Sequence, residues 1–204
     1  IYKDNTGSVC DINGNIQYSF KTTLNEVMND KLVSFFPSGN YHFIAAKDSN
    51  ALIFDKSGGI IAELKGHKSR INSIDISPDG RFVVTASNDG IAYIWNFNNV
   101  TRQFSIYHTL VGHKDIVWSC RFNKTGKYII TASADSTIKI WNLNGKQINP
   151  QFNYIRYYRY RFNNGEYDKD RYDPKYSKYY GKFCDAKLSH DEKEIIATGY
   201  SINA

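Results

Sequence analysis

The chain has little cysteine and no long apolar run, and each shortage excludes a class of protein. Three cysteines among 204 residues, an odd number in no spacing motif, argue against a disulfide framework. No run of about 18 apolar residues is present, so no membrane-spanning helix is expected. No P-loop, glycine-rich nucleotide fingerprint or cluster of metal-ligand residues appears, so the sequence predicts no cofactor and no metal site.

Histidine is scarce outside one repeated pattern, and His42, His108 and His190 stand alone without ligand spacing. The hydrophobic content of 41 % and the aromatic content of 15 % are sufficient for a globular core. No secretion signal is recognisable, so we expect an intracellular protein, cytoplasmic or nuclear, with no membrane partner. Because no convincing catalytic pair is visible, we expect a protein that is not an enzyme.

What the sequence does contain is a block that occurs twice, 46 residues apart. Each copy begins with a Gly-His pair, at Gly66-His67 and at Gly112-His113, and closes with a tryptophan. In each copy an aspartate follows the histidine by 22 residues, and the tryptophan follows that aspartate by six. A period of about 40 to 50 residues indicates an array of small units that must stack to bury their hydrophobic faces.

Each copy contains four short apolar stretches separated by turn residues. Proline and glycine in Ser77–Gly80, and glycine in Asn88–Gly90, are typical of tight turns. β-Branched and aromatic residues fill the stretches, and no helical period is sustained. The unit is therefore predicted to be a four-stranded antiparallel meander. In the first copy its strands are Ile71 to Ile76, Phe82 to Ser87, Ile91 to Phe97 and Gln103 to Leu110.

A Gly-His pair, a turn aspartate and a closing tryptophan at these spacings resemble the WD40 repeat, which is one blade of a β-propeller. The Trp-Asp pair that usually closes this repeat is absent, because Trp95-Asn96 and Trp141-Asn142 stand there. The resemblance implies an all-β, WD40-type β-propeller. It also implies an interaction platform, with other proteins of a larger complex as partners.

Fainter copies flank the two strong ones. Lys47-Asp48 followed by Phe54-Asp55 repeats the aspartate-plus-six spacing, and the tract from Cys184 aligns with the tract from Trp118. We therefore expect three full blades and two half blades, and we expect the chain to be a piece of a larger propeller, which in this family usually has seven blades. The expected divisions are 1–21 (half blade), 22–65 (weak blade), 66–111 and 112–150 (strong blades), 151–182 (insertion) and 183–204 (half blade).

Histidine, threonine, aspartate and tryptophan recur together in both strong copies, and two interpretations are open. Hydroxyl, imidazole and carboxylate groups together are typical of nucleophilic hydrolysis. The resemblance implies a structural tetrad instead, in which aspartate accepts from histidine, histidine bonds threonine, and threonine bonds the tryptophan N–H. Two identical sets without a nucleophile-elbow motif favour the structural tetrad. The two sets are His67, Thr85, Asp89 and Trp95, and His113, Thr131, Asp135 and Trp141.

The resemblance also indicates which residues a partner would contact. In this family the exposed face carries the third and fifth residues after the histidine and the residue before the turn aspartate. Trp118 is the sharpest candidate, because tryptophan and arginine dominate interface hot spots, although packing at a blade junction is the alternative for it. The predicted partner-binding residues are Arg70, Asn72, Asn88, Ile116, Trp118 and Ala134, with Asn29, Lys31 and Lys47 in the weak blade.

An insertion rich in tyrosine and arginine separates the second strong copy from the last half blade. From Lys146 to Lys187 there are ten Lys or Arg residues against five Asp or Glu residues, which supplies most of the net charge of +6. Three interpretations are open: a surface loop, a protein contact, or stacking and phosphate contacts with nucleic acid. The candidate contact residues are Arg156, Tyr157, Tyr158, Arg159, Tyr160 and Arg161.

Several functions remain open at this point. The favoured one is a non-catalytic scaffold that binds proteins within a multiprotein assembly. The second is the WD40 sensor domain of a larger signalling or nucleotide-switch protein of the defence type, which a Walker A motif elsewhere in the protein would support. The third is a propeller hydrolase, which needs polar residues converging on the central channel. Nucleic-acid contact through the insertion is a less favoured alternative.

Overall fold

The structure is a computed structural model that describes residues 6–21, 33–37, 43–55, 59–98, 103–148, 154–159, 161–163, 166–168, 181–188 and 194–201. Every regular element in these ranges is a β-strand, which confirms the predicted all-β class. Among the same residues there is no helix long and apolar enough to cross a membrane. The strands form six sheets, and three of these sheets have four strands each.

A two-stranded antiparallel sheet and three four-stranded antiparallel meanders follow one another along the chain. The two-stranded sheet consists of β1 (Thr6–Cys10) and β2 (Ile16–Lys21). The first blade consists of β3 (Val33–Phe35), β4 (Phe43–Lys47), β5 (Asn50–Phe54) and β6 (Ile60–Lys65). The second blade consists of β7 (Ile71–Ile76), β8 (Phe82–Ser87), β9 (Ala92–Asn98) and β10 (Gln103–Leu110). The third blade consists of β11 (Val117–Phe122), β12 (Tyr128–Ser133), β13 (Ile138–Asn142) and β14 (Gln147–Ile148).

The last sheet differs from a meander because the insertion contributes a strand to it. Its strands are β15 (Tyr154–Arg159), β18 (Gly181–Leu188) and β19 (Glu194–Ser201), and a separate hairpin is formed by β16 (Arg161–Asn163) and β17 (Glu166–Asp168). β18 and β19 are antiparallel, whereas β15 lies parallel to β19 on its other edge. The backbone groups along that edge of β19 need partners, and the β-prone residues of β15 provide them.

Side-chain oxygens close the turns between the third and fourth strands of the first and third blades. Asn142 Oδ1 accepts the N–H of Lys146 at 3.0 Å, and Asp55 Oδ1 accepts the N–H of Gly59 at 2.9 Å. Each of these residues follows the closing aromatic of its copy and binds the fourth residue along the chain. An amide oxygen serves this turn as well as a carboxylate does, which explains why asparagine can stand in place of the usual aspartate.

The hydrophobic core lies between the faces of neighbouring blades. Ile53 of β5 and Trp95 of β9 belong to one buried cluster, which joins the first blade to the second. Val84 of β8 and Ile129 of β12 belong to another, which joins the second blade to the third. A further cluster joins the third blade to β18 and β19. Stacking of the blades thus provides the core that a single blade is too small to form.

Serine hydroxyls fasten the first strands of adjacent blades to each other. Ser73 Oγ in β7 donates to the carbonyl oxygen of Cys120 at 3.2 Å and accepts the Cys120 N–H at 3.1 Å. Ser119 Oγ, 46 residues after Ser73, accepts the N–H of Ala186 in β18 at 3.2 Å. These contacts align the first strands side by side, so the loops that precede the strands lie at one end of the stack.

Candidate interaction face and the buried tetrads beneath it

The four side chains of the first tetrad form one hydrogen-bonded chain inside the second blade. His67 Nδ1 lies 3.0 Å from Asp89 Oδ2, and His67 Nε2 lies 2.7 Å from Thr85 Oγ1. Trp95 Nε1 donates to the same Thr85 oxygen at 2.9 Å. One tautomer satisfies every contact: Nδ1–H donates to the carboxylate, and Nε2 accepts from the threonine hydroxyl. The carboxylate also accepts two backbone N–H groups, from Lys68 and Ile91.

The second tetrad repeats this geometry in the third blade. His113 Nδ1 lies 2.9 Å from Asp135 Oδ2, and His113 Nε2 lies 2.7 Å from Thr131 Oγ1. Trp141 Nε1 donates to Thr131 Oγ1 at 2.9 Å. The structure therefore brings together all eight residues of the two predicted sets, four in each blade.

The two tetrads differ in the residues that surround the histidine. In the third blade the Thr137 hydroxyl donates to Asp135 Oδ1 at 2.6 Å and also lies 3.2 Å from the histidine Nδ1. Ile91 occupies the matching position of the second blade and offers no hydroxyl. There the ring of Tyr93 lies over the histidine instead, with 4.5 Å between the ring centroids. Sequence reasoning missed Thr137, although the Ile-to-Thr difference between the copies was a signal.

Burial and hydrogen bonding set the charges of the tetrads. Burial lowers the pKa of His67 and of His113 below the ordinary value of 6.5, and the neighbouring aspartates oppose this only in part. Burial works to raise the pKa of Asp135, but hydrogen bonds from the Thr137 hydroxyl, the Lys114 N–H and the histidine outweigh it and lower the pKa to about 2. Each tetrad is therefore a neutral histidine held by an ionised carboxylate at neutral pH.

The tetrads leave no accessible nucleophile, which bears on the hydrolase interpretation. Thr85 and Thr131 are both 0 % exposed, and each hydroxyl oxygen is already contacted by a histidine and a tryptophan. A substrate cannot reach either oxygen without opening the blade. Nothing in the tetrad geometry therefore favours hydrolysis.

The glycine before each tetrad histidine is required because the tryptophan ring packs against its backbone. A Cβ added at Gly66 would lie 3.2 Å from the Trp95 ring and 3.0 Å from Ile106 Cδ1. A Cβ added at Gly112 would lie 3.2 Å from the Trp141 ring. Both separations are tighter than ordinary van der Waals contact, so the Gly-His pair and the closing tryptophan are one steric unit.

The predicted partner-binding residues of the second and third blades adjoin one another. Arg70 and Asn88 are exposed, and the Arg70 carbonyl accepts the Asn88 N–H at 2.9 Å. Asn72 is half-buried, and its Nδ2 donates to Asn88 Oδ1 at 2.7 Å and to the Val117 carbonyl of the third blade at 3.0 Å. The two blades thus present one continuous surface, which we call the loop face. The loop face consists of Arg70, Asn72, Asn88, Ile116, Trp118 and Ala134.

The third-blade part of the loop face is more apolar than the second-blade part. Ile116 and Trp118 are half-buried, and Ala134 is only 5 % exposed, so its side chain offers a partner little surface. The Ala134 N–H donates to the Ile116 carbonyl at 2.9 Å. The indole Nε1 of Trp118 is buried and has no hydrogen-bond partner, and it is the single side-chain atom of this kind among the described residues.

Several of the predicted contact residues lie outside what the structure describes. Asn29, Lys31 and Tyr160 are outside the described residues, and for Lys47 in β4 the backbone alone is described. Arg156, Tyr157, Tyr158 and Arg159 lie in β15, and Arg161 begins β16. No group of three or more possible metal ligands occurs in the described part of the chain. The roles of the weak-blade and insertion residues as partner contacts stay predictions.

Comparison with known proteins identifies the repeat. Residues 58–96 and 104–142 match the family model for the WD domain, G-beta repeat, and each match contains one complete tetrad. A stretch of 43 residues, 21 % of the chain, is 40 % identical to 5 % of U3 small nucleolar RNA-associated protein 13 of Saccharomyces cerevisiae. A stretch of 55 residues, 26 % of the chain, is 38 % identical to 11 % of pre-mRNA-processing factor 19 of Bos taurus. The chain thus spans a small part of the curated relatives it matches.

A solved structure supports the same conclusion about the fold. The structure of U3-55K matches with a TM-score of 0.53 and 20 % sequence identity, over 61 % of this chain and 39 % of that chain. At this identity the match speaks for the fold alone. With two matched repeats, two complete tetrads and blades of four antiparallel strands, the chain contains two WD40 repeats and has the WD40-type β-propeller fold.

Proposed function

We propose that this chain is part of a non-catalytic scaffold that binds other proteins within a multiprotein assembly through the loop face. The observation that carries the proposal is the division of polar groups between the interior and the surface. The tetrad hydroxyls, imidazoles and carboxylates are occupied by one another, whereas Arg70 and Asn88, each within three residues of a tetrad residue in the sequence, are exposed. A rigid frame under an exposed face suits binding rather than chemistry.

The loop face has the composition of a protein interface. It combines an exposed arginine, Arg70, with a half-buried tryptophan, Trp118, and the residue types of both are enriched in interface hot spots. Ile116 adds apolar surface, and the amides of Asn72 and Asn88 add polar groups. An apolar centre with a polar rim is the usual anatomy of a specific interface.

The names of the relatives are compatible with this proposal and suggest a setting for it. One relative is named as a protein associated with small nucleolar RNA, and another as a pre-mRNA-processing factor. We accordingly place the scaffold inside the cell, in a nuclear or cytoplasmic assembly, with proteins as its partners and without a cofactor.

The test is site-specific photo-crosslinking of the intact protein in its native cells. A benzophenone amino acid at position 116 is expected to crosslink a small set of proteins, because Ile116 lies in the loop face. The same group at position 128, where Tyr128 is 40 % exposed on β12, serves as the matched control. The crosslinks from position 116 should disappear when Arg70→Ala and Asn88→Ala are combined. Equal crosslinking from positions 116 and 128 would argue against the proposal.

A second candidate function is nucleic-acid contact through the insertion. Its support is the excess of five basic residues from Lys146 to Lys187, together with alternating tyrosine and arginine. Filter binding of single-stranded RNA and DNA should then show an affinity that falls steeply with salt, and replacement of Arg156, Arg159 and Arg161 by alanine should abolish it. A flat or absent salt dependence would exclude this candidate.

A further inference from the structure

The second and third blades differ in the hydrogen bonding of the residue that stands five positions after the tetrad histidine. In the second blade Asn72 uses its amide twice, donating to Asn88 Oδ1 at 2.7 Å and to the Val117 carbonyl at 3.0 Å. At the matching positions 46 residues later stand Trp118 and Ala134. Alanine has no side-chain oxygen, so the internal acceptor that closes the second blade is missing from the third.

The indole N–H of Trp118 has no acceptor. Its Nε1 atom is buried and makes no hydrogen bond, while the residue as a whole is only half-buried. The other two tryptophans, Trp95 and Trp141, both donate to a threonine oxygen at 2.9 Å. Buried donors are almost always paired in folded proteins, and an exception calls for a cause. The absence of an acceptor in the third blade points to one supplied from outside.

We propose that Trp118 Nε1 donates a hydrogen bond to a main-chain carbonyl oxygen of an extended peptide segment from the partner protein. The inference rests on the proposed function, because it assigns the partner chemistry at one place on the loop face. The peptide lies across Ile116 and Trp118, and a rotation of the half-buried indole ring brings its N–H to the carbonyl. Side-chain rearrangement of this size is common when interfaces form.

A neutral carbonyl suits this place better than a carboxylate does. Ile116 and Ala134 provide an apolar surface, and the carboxylate of Asp115 stands next to them, with its Oδ1 accepting the Ile116 N–H at 2.8 Å. An acidic side chain of the partner would lose its hydration on this apolar surface. A peptide carbonyl carries no charge and needs one donor, which the indole supplies.

The test uses random 12-residue peptides displayed on phage and selected on the intact protein. Peptides that bind are synthesised, and their affinities for wild type and Trp118→Phe are compared by fluorescence anisotropy. Phenylalanine keeps an aromatic ring but removes the N–H, so we expect binding to weaken about tenfold. The melting temperature of Trp118→Phe should equal or exceed that of wild type, because the change removes an unpaired buried donor.

Ester substitution in the peptide identifies the acceptor. An ester carbonyl accepts hydrogen bonds more weakly than an amide carbonyl, so one position of an amide-to-ester scan should weaken binding to wild type and leave binding to Trp118→Phe unchanged. If replacement of an aspartate or glutamate in the peptide has this pattern instead, the acceptor is a carboxylate and the inference is wrong.

A second variant covers the case in which Trp118→Phe does not fold. Ala134→Asn places a side-chain oxygen where the second blade has Asn88. This oxygen should accept the indole N–H within the protein and so lower the affinity for the peptide. Unchanged affinity for both variants, together with loss of binding to Arg70→Ala, would overturn the inference and leave the proposed function standing. Failure to select any peptide above a protein-free control would overturn the inference, whereas the proposed function is decided separately by crosslinking from position 116.

Discussion

Replacing Asp89 by alanine should destabilise the protein more than the matching change at Asp135. Asp89 accepts three hydrogen bonds, from the His67 ring and from the backbone N–H groups of Lys68 and Ile91, at 2.9 to 3.0 Å. Its removal leaves the Nδ1–H of His67 without an acceptor, and the His67 side chain is 0 % exposed. The Tyr93 ring also packs against this histidine, with 4.5 Å between the ring centroids.

The size of the loss in unfolding free energy depends on how many hydrogen-bond donors are left without an acceptor and cannot be reached by water. A buried donor without a partner costs about 1–3 kcal/mol, and a hydrogen bond to a charged acceptor contributes about 1.5–3 kcal/mol. Lys68 is exposed, so water can replace the acceptor of its N–H. We therefore expect Asp89→Ala to lower the free energy of unfolding by about 3 kcal/mol. For a chain of this size that corresponds to a Tm about 6–12 °C lower.

Asp135 accepts four hydrogen bonds, but Asp135→Ala should cost less, because Lys114 and Thr137 are exposed to water and the third blade contains a substitute acceptor for the histidine. The Thr137 hydroxyl already lies 3.2 Å from His113 Nδ1 and can accept its proton once the carboxylate is removed. We expect a loss of about 2 kcal/mol. Adding Thr137→Ile to Asp135→Ala removes the substitute and should bring the loss up to that of Asp89→Ala. The reverse change, Ile91→Thr on the Asp89→Ala background, should recover about 1 kcal/mol.

Urea unfolding of the intact protein, followed by circular dichroism and tryptophan fluorescence, measures these differences. Asp89→Asn is the matched control, since it keeps an oxygen acceptor in the same place and should lose only about 1 kcal/mol. Transitions within experimental error of wild type for both alanine variants would refute the structural role of the tetrads. Equal losses for Asp89→Ala and Asp135→Ala, with no effect of Thr137→Ile, would refute the role assigned to Thr137.

Three further predictions concern the backbone and the pH dependence. Ser136 has a φ of +66° where the second blade has Gly90 at +80°, so Ser136→Gly should raise stability by up to about 1 kcal/mol and Gly90→Ser should lower it, in the same unfolding assay. Gly112→Ala forces a methyl group against the indole ring beneath it and should cost about 1–3 kcal/mol; an unchanged Tm would contradict the packing argument. Because the pKa values of His67 and His113 are lowered on folding, the unfolded chain binds more protons below about pH 6.5, so the urea midpoint should fall as pH drops from 7.5 to 5.5. A midpoint that rises on acidification would contradict this sign. Desolvation raises the pKa of the half-buried Asp75 carboxyl, and this group acts in the opposite direction.

The repeat spacing and the turn residues predicted stacked four-stranded meanders, and the resemblance to the WD40 repeat implied the propeller and the bonding scheme of the tetrads. The histidine, threonine, aspartate and tryptophan of the tetrads recur at the same spacing in both copies because each makes a fixed contact within its blade. Strand boundaries were predicted to within one residue in the second blade, since turn residues mark them. β9 runs Ala92–Asn98 rather than Ile91 to Phe97, because the Ile91 N–H is taken by Asp89 Oδ1 as part of the turn.

Contacts that cross between distant parts of the chain were not predictable from the sequence. Parallel pairing of β15 with β19 depends on which sheet edge is free, and no local pattern reveals that edge. The predictions for the loop face took Ala134 as a contact, but burial by its surroundings leaves it 5 % exposed. The unpaired N–H of Trp118 depends on how the surrounding strands pack, whereas Asn72 at the matching position of the second blade is paired with Asn88.

The serine contacts between first strands have a consequence for how such a chain can grow. The link from Ser73 to Cys120 closes over 47 residues, and the link from Ser119 to Ala186 closes over 67. Both links form, although the second spans twenty more residues, because lengthening a loop adds closure entropy only slowly, about 0.6 kcal/mol for each doubling. The connection between the third blade and β18 can therefore accept an insertion while the contacts between neighbouring blades are kept. The propeller can gain an additional segment at this place without a change in its core.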